Sequence, residues 1–157
     1  MILVTIGTQL PFDRLVRAMD AIAARIGEPV FAQVGHTAYV PQHLDWAPSL
    51  TPAQFDSHVA RARLIVSHAG TGSILAAQRH RLPIVLMPRR ADLGEHRNDH
   101  QLATADRLQH KRGLYVAHDE AGLEALLRRD DLQPMEQDGD LASRQQFVGR
   151  LREFLSA

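Results

Sequence analysis

The chain has 157 residues, 45% of them apolar, which suits one domain with a substantial core and not a disordered chain. Eighteen basic residues balance eighteen acidic ones, so the composition argues against a general nucleic-acid binder. There is no cysteine, which excludes disulfides, a thiolate nucleophile and Cys-ligated zinc.

The amino terminus, Met1 to Gly7, has neither a positive lead nor a long apolar run, so it does not read as a signal peptide. No stretch of about 18 apolar residues follows, and the expectation is a cytosolic chain. Ile2 to Ile6 reads as the first core strand. Gly7-Thr8-Gln9 follows, and Pro11 is expected in the first turn of a helix carrying Leu15, Val16, Met19, Ile22 and Ile26, stopped at Gly27. Residues 29–34 read as a second strand. Residues 36–50, with Pro41, Trp46 and Pro48, look irregular with room for one short strand. Thr51-Pro52-Ala53-Gln54 has the form of a capping box with proline at the first helical position.

Leu64-Ile65-Val66 is a short apolar run followed at once by Ser67-His68-Ala69-Gly70-Thr71-Gly72. Ser73 to Arg81 is expected to be helical, and Ile84 to Met87 to form the next strand. Strand, glycine loop, helix and strand make a right-handed parallel crossover. Its loop then lies at a helix amino end, where free N–H groups and the helix dipole favour phosphate. The same pattern begins at Gly7, so two loops should open on one sheet edge and form a crevice. A tight turn without a ligand is the other reading of either loop. Neither is a Walker loop nor the full dinucleotide fingerprint. Beyond residue 101, Leu102, Ala105 and Leu108 continue a helix. Leu114 to Val116 is a strand, and Asp119 caps a helix with Leu123, Leu126 and Leu127. Residues 130–140 read as a loop, and Leu141, Val148, Leu151, Phe154 and Leu155 form one apolar stripe on a terminal helix. No boundary divides residues 1–157, so a single domain is expected.

Residues 89–101 are dense in polar groups: Arg89, Arg90, Glu95, His96, Asn98, Asp99, His100 and Gln101. A solvated loop would explain them. His96 and His100 share a helix face and could bind zinc, but no third ligand is obvious. An array of donors and acceptors for a polyhydroxylated ligand is the preferred reading. His68, where strand meets glycine loop, can face a ligand or its own loop. The lack of a Gly-x-Ser-x-Gly elbow argues against a Ser-His-Asp hydrolase.

The stretches Val4–Leu15, Ser67–Ser73 and Pro88–Gln101 resemble, in order, the carboxyl-terminal domain of family 28 glycosyltransferases. The likeness is greatest to the free-standing small subunits of two-component transferases, and among those to the bacterial exopolysaccharide group that includes the rhizobial glucuronosyltransferase small subunit. The resemblance implies an α/β, Rossmann-like parallel sheet with helices on both faces, the donor half of a GT-B fold. It implies a UDP-sugar site built from Gly7, Thr8, Gln9, His68, Ala69, Gly70, Thr71, Gly72, Ser73, Arg89, Arg90, Glu95, Asn98 and Gln101, with Gln101 on the sugar. It implies no cofactor and no divalent metal. A membrane-anchored partner subunit would carry a lipid-linked acceptor and the general base, His68 being the in-chain alternative for that base. The terminal helix, 140–155, would contact that partner. One departure stands out: relatives carry a ribose-gripping glutamate where this chain has Ala76, so Glu95 or another group must replace it. A non-catalytic regulatory subunit derived from a donor domain is the other reading.

Overall fold

A computed structural model describes residues 1–137 and 141–156. Six strands lie parallel in one sheet: β1 (Ile2–Thr5), β2 (Val30–Gln33), β3 (Asp45–Ala47), β4 (Leu64–Ser67), β5 (Ile84–Leu86) and β6 (Leu114–Val116). Their spatial order is 3-2-1-4-5-6, that of doubly wound dinucleotide-binding sheets. The helices are α1 (Asp13–Ile26), α2 (Pro52–Arg61), α3 (Thr71–His80), α4 (His100–Leu108), α5 (Glu120–Leu127) and α6 (Leu141–Ser156).

Because side chains alternate along a strand, each strand feeds two cores. Ile2, Val4 and Ile6 of the β1 segment, Leu64 and Val66 of β4, and Val85 meet Leu15, Met19 and Ile22 of α1 and Leu123 of α5. Leu3, Ile65, Ile84 and Leu86 face the other way, onto Val59 of α2, Ile74 and Ala77 of α3, and Phe147 and Leu151 of α6. The chain therefore leaves β1 and β4 towards opposite faces. The gap between these adjacent strands is the switch point at which open α/β sheets bind ligands.

The boundaries differ from the sequence reading at informative places. Pro11 lies outside α1: Phe12 is the N-cap, and Pro11 offers its carbonyl to Arg89 instead. The helix after the glycine loop starts at Thr71 and not at Ser73, so Gly70 is its N-cap and Gly72 lies in its first turn. The short strand hidden in 36–50 is β3. Thr51 forms the expected capping box, its hydroxyl accepting from Gln54 N and the Gln54 side chain accepting from Thr51 N. In α6, Phe147 is buried where the stripe omitted it, Leu151 is buried beside it, and Val148 is half-buried. The side chains of Leu141, Phe154 and Leu155 lie outside the described residues.

Candidate functional site

The two loops expected to share an edge do so, around a cavity of about 530 Å³, within the size range of small-molecule sites. Gly7, Thr8, Gln9 and Leu10 line one side. His68, Gly70, Thr71, Gly72 and Ser73 line another, and Arg89, His96 and Gln101 a third.

Gly7 has φ +80°, a conformation that disfavours a side chain, and a Cβ there would sit 2.8 Å from His68 Nε2. A Cβ on Gly70 would overlap the His68 ring outright. The imidazole thus occupies space that both glycines leave open. Gly70 has no side chain to cap α3, and no acidic residue sits in the first turn. The leading amides of α3 and the positive end of its dipole face the cavity edge unopposed.

Several expected ligand groups are engaged within the protein. Arg89 is 2% exposed; its Nη2 donates to the carbonyls of Ile6 (2.7 Å) and Leu10 (2.9 Å), and Nη1 to that of Pro11. Its guanidinium also lies 4.6 Å from the Phe12 ring centre. Arg89 therefore fastens the loop after β1. Arg90 pairs with Asp92 through Nη2 at 2.7 Å. Glu95 receives Arg14 and the Arg90 N–H. Asn98 Oδ1 accepts from His100 N, and Asp99 from Ala91 N. The polar density of residues 89–101 largely serves to hold this segment, including a 3-10 turn at Ala91–Leu93, against the sheet. Among the described residues no trio of His, Asp or Glu gathers to hold a metal ion, so His96 and His100 lack a third ligand.

Ser67 ties the two loops together. Its hydroxyl reaches Thr5 O at 2.8 Å, and Ser73 Oγ lies 2.7 Å away. A carbonyl can only accept, so Ser67 donates to it and Ser73 donates to Ser67. Gln33 does the same job further along the edge, with Nε2 on the carbonyls of Gly7 (3.2 Å) and Pro48 (3.0 Å) and Oε1 accepting from Thr5 Oγ1. Gln101 Oε1 accepts from Ala69 N and Arg89 N, and its Nε2 lies 3.1 Å from His68 Nδ1.

The cavity also has an apolar wall that the sequence reading missed: Leu50, Pro52 and Phe55, with Ser49, at the start of α2. The capping box marked that helix start. Its nearness to the glycine loops depended on β3, whose three residues carry too little pattern to read alone.

The sequence profile described as Glycosyltransferase family 28 C-terminal domain matches residues 1–147. A protein of Yarrowia lipolytica named UDP-N-acetylglucosamine transferase subunit ALG13 is 27% identical over 136 residues. The match takes in 76% of this chain and spans 65% of that protein's length. An NMR solution structure of ALG13 superposes with a TM-score of 0.65 at 17% identity, over 94% of each chain. A UDP-glucose:anthocyanidin 3-O-glucosyltransferase in complex with UDP superposes with a TM-score of 0.62 at 14% identity, over 99% of this chain and 35% of that one. These superpositions give the fold: a Rossmann-like sheet corresponding to the carboxyl-terminal half of GT-B glycosyltransferases.

Proposed function

Since this chain belongs to the glycosyltransferase family 28 C-terminal domain family, we propose that it is the nucleotide-sugar-binding component of a two-component glycosyltransferase. The observation that carries the reading is the convergence of the Gly7 loop, the uncapped amino end of α3 and the His68 ring on one cavity at the β1–β4 switch point.

The donor's diphosphate would lie on the α3 amides between the two loops. Its nucleobase would rest against Leu50, Pro52 and Phe55, and its sugar would point towards Gln9, His96 and Gln101. In transfer, the bond between the anomeric carbon and the diphosphate oxygen breaks, and a new bond forms to an acceptor hydroxyl. Negative charge grows on the leaving diphosphate, and fixed N–H donors aimed there stabilise it without reorganising. The acceptor's proton must go to a base. His68 has its Nδ1 occupied by Gln101 and its basicity lowered by burial, so the base is assigned to a second polypeptide.

That second polypeptide would be membrane-anchored and would bring the lipid-linked acceptor. The relative named as a transferase subunit supports the need for a second polypeptide; the membrane anchor and the lipid-linked acceptor rest on the sequence resemblance. Among the described residues no helix is long and apolar enough to cross a membrane, so attachment would run through the partner. α6 turns Phe147 and Leu151 inward, which leaves Gln145, Gln146, Arg150 and Glu153 on the side open to such a partner.

The finer assignment, a glucuronate donor in exopolysaccharide synthesis, rests on the sequence resemblance. A guanidinium fork would suit the C6 carboxylate. Arg89 is spent on carbonyls; Arg90 pairs with Asp92 outside the cavity lining and would have to leave Asp92 and turn inward to take that role. The second reading, a regulatory relic of a donor domain, is favoured by Ala76, a small buried residue on α3.

Co-expression with a membrane-anchored partner gene from the same source, followed by transfer assays with UDP-sugars, tests the proposal. The pair should transfer sugar and the isolated chain should not. Robust transfer to a lipid acceptor by the 157-residue chain alone would overturn the two-component mechanism, and transfer by the partner alone would favour the regulatory reading.

A further inference from the structure

Gln101 is 5% exposed and reaches two loops at once, the one after β4 and the one after β5. Its Oε1 accepts from the backbone N–H of Ala69 at 3.2 Å and of Arg89 at 3.0 Å. A backbone N–H can only donate, so the end of the amide facing Ala69 and Arg89 must be the oxygen. The other end is then the nitrogen, which can only donate, and it lies 3.1 Å from His68 Nδ1. Nδ1 must accept and carries no proton. In a neutral imidazole the proton therefore sits on Nε2, the nitrogen that faces the space left by the absent side chains of Gly7 and Gly70.

We propose that Gln101 is a positioning residue that locks His68 in its Nε2–H tautomer, so the cavity holds a neutral hydrogen-bond donor aimed between its two glycine loops. Burial is the main influence that keeps the imidazole from charging, and the nearby Arg89 guanidinium adds to it; the Gln101 contact acts the other way, His96 acts with the first two, and the balance brings the pKa down to about 4. A neutral donor can meet a phosphoryl oxygen without first giving up the hydration of a charge. The same lock makes Nε2 a donor and not a base. It also limits Gln101 itself: with both N–H acceptances on Oε1 and one Nε2 hydrogen on His68, a single N–H is left for a ligand.

The inference deepens the proposed donor site and rests on it only for the ligand's identity, so its test separates the two. In the full chain, long-range 1H–15N spectra of the histidine rings report which nitrogen is protonated, with the His68 signals assigned by their loss in His68→Gln. The wild type should show an unprotonated Nδ1 and a protonated Nε2 from pH 5.5 to 8. In Gln101→Glu, one carboxylate oxygen can still accept from Ala69 and Arg89 while the other accepts from Nδ1. The proton should then move to Nδ1, and the titration midpoint of His68 should rise by at least one pH unit. Affinity for UDP-glucose, whose diphosphate does not titrate in this range, should be flat within twofold between pH 6 and 8 in the wild type. In Gln101→Glu it should fall at least fivefold over the same range. A wild-type His68 protonated on Nδ1, or a Gln101→Glu spectrum unchanged from wild type, would overturn the lock. The expected tautomers without any UDP-glucose binding would sustain the lock and remove the donor-site reading instead.

Discussion

Arg14 and Glu95, 81 residues apart, meet through two parallel hydrogen bonds, Nε to Oε1 at 2.6 Å and Nη2 to Oε2 at 2.9 Å. Arg14 also donates to the carbonyls of Pro88 and His118, so one guanidinium ties α1 to the segments after β5 and β6. The carboxylate that sequence reasoning offered as a ligand group is thus the fastening of its own loop. Glu95→Gln keeps the shape and removes the charge. It should cost about 1–3 kcal/mol of stability, the range for a charged hydrogen bond left imperfectly met. Urea unfolding measures this. Undiminished stability together with a tenfold loss of UDP-sugar affinity would return Glu95 to the ligand.

Gly72 and Gly70 should respond differently to substitution. A Cβ on Gly72 meets nothing within 4 Å, whereas one on Gly70 collides with His68. Gly72→Val should therefore keep stability within about 1 kcal/mol, as expected of an exposed substitution without strain. It should weaken nucleotide binding at least tenfold, by crowding the amide end of α3. Gly70→Ala should weaken binding and also displace the His68 ring, visible as altered ring signals. Full nucleotide affinity in Gly72→Val would move the diphosphate elsewhere.

The half-buried His68 also predicts how stability depends on pH. Its pKa, near 6.5 in the unfolded chain, is brought down to about 4 in the fold, chiefly by burial. Below pH 6.5 the unfolded state takes up a proton that the folded state refuses, so stability falls as pH drops from 6.5 to about 4. The loss is on the order of 3 kcal/mol at most. Asp20 is different. Burial raises its pKa, but hydrogen bonds from Tyr39 and the backbone of Gln42 and His43 outweigh this and lower it. Its contribution is held above pH 3.8 and is lost only below that. His68→Gln should flatten the stability profile between pH 6.5 and 4.5 while leaving the steeper loss below pH 4. An unchanged slope in that window would mean that another group supplies it.

α6 should prove integral to the domain. Phe147 and Leu151 are buried against Leu114, Met135 and Ile84. Full burial of such side chains is worth about 1.5–3 kcal/mol each. A chain ending at residue 139 should lose several kcal/mol and bind a hydrophobic dye, and Leu151→Ala should cost about 2–5 kcal/mol. Thermal melts decide this. Melting of the truncated chain at the wild-type temperature would show that α6 does not close the core.

Elements with a strong period or a glycine boundary were legible in the sequence. The apolar run Ile2–Val4, the run Leu64–Val66 and the Thr51 capping box each fix a local conformation by local chemistry. β3 was not legible, because Asp45-Trp46-Ala47 becomes a strand only by pairing with Phe31, Ala32 and Gln33. That pairing is also what brings Leu50, Pro52 and Phe55 to the cavity. The glycine loops announced themselves because a close approach needs glycine. The functions of Arg89, Glu95 and Gln101 did not, because a polar side chain near a strand end looks the same whether it meets a ligand or a backbone group elsewhere in its own chain. Ser73 illustrates the point: it lies where a ligand group was expected, yet its proton is directed to Ser67.

The most direct measurement of the central claim is an NMR titration of the isotopically labelled full chain with UDP and UDP-sugars. Saturable binding is expected, with the largest shifts at the amides of Gly7, Thr8, Gly70, Thr71 and Gly72 and at the His68 ring, and a second group of shifts at Leu50 and Phe55. Saturable binding whose shifts avoid these loops, or no binding at millimolar nucleotide, would contradict it.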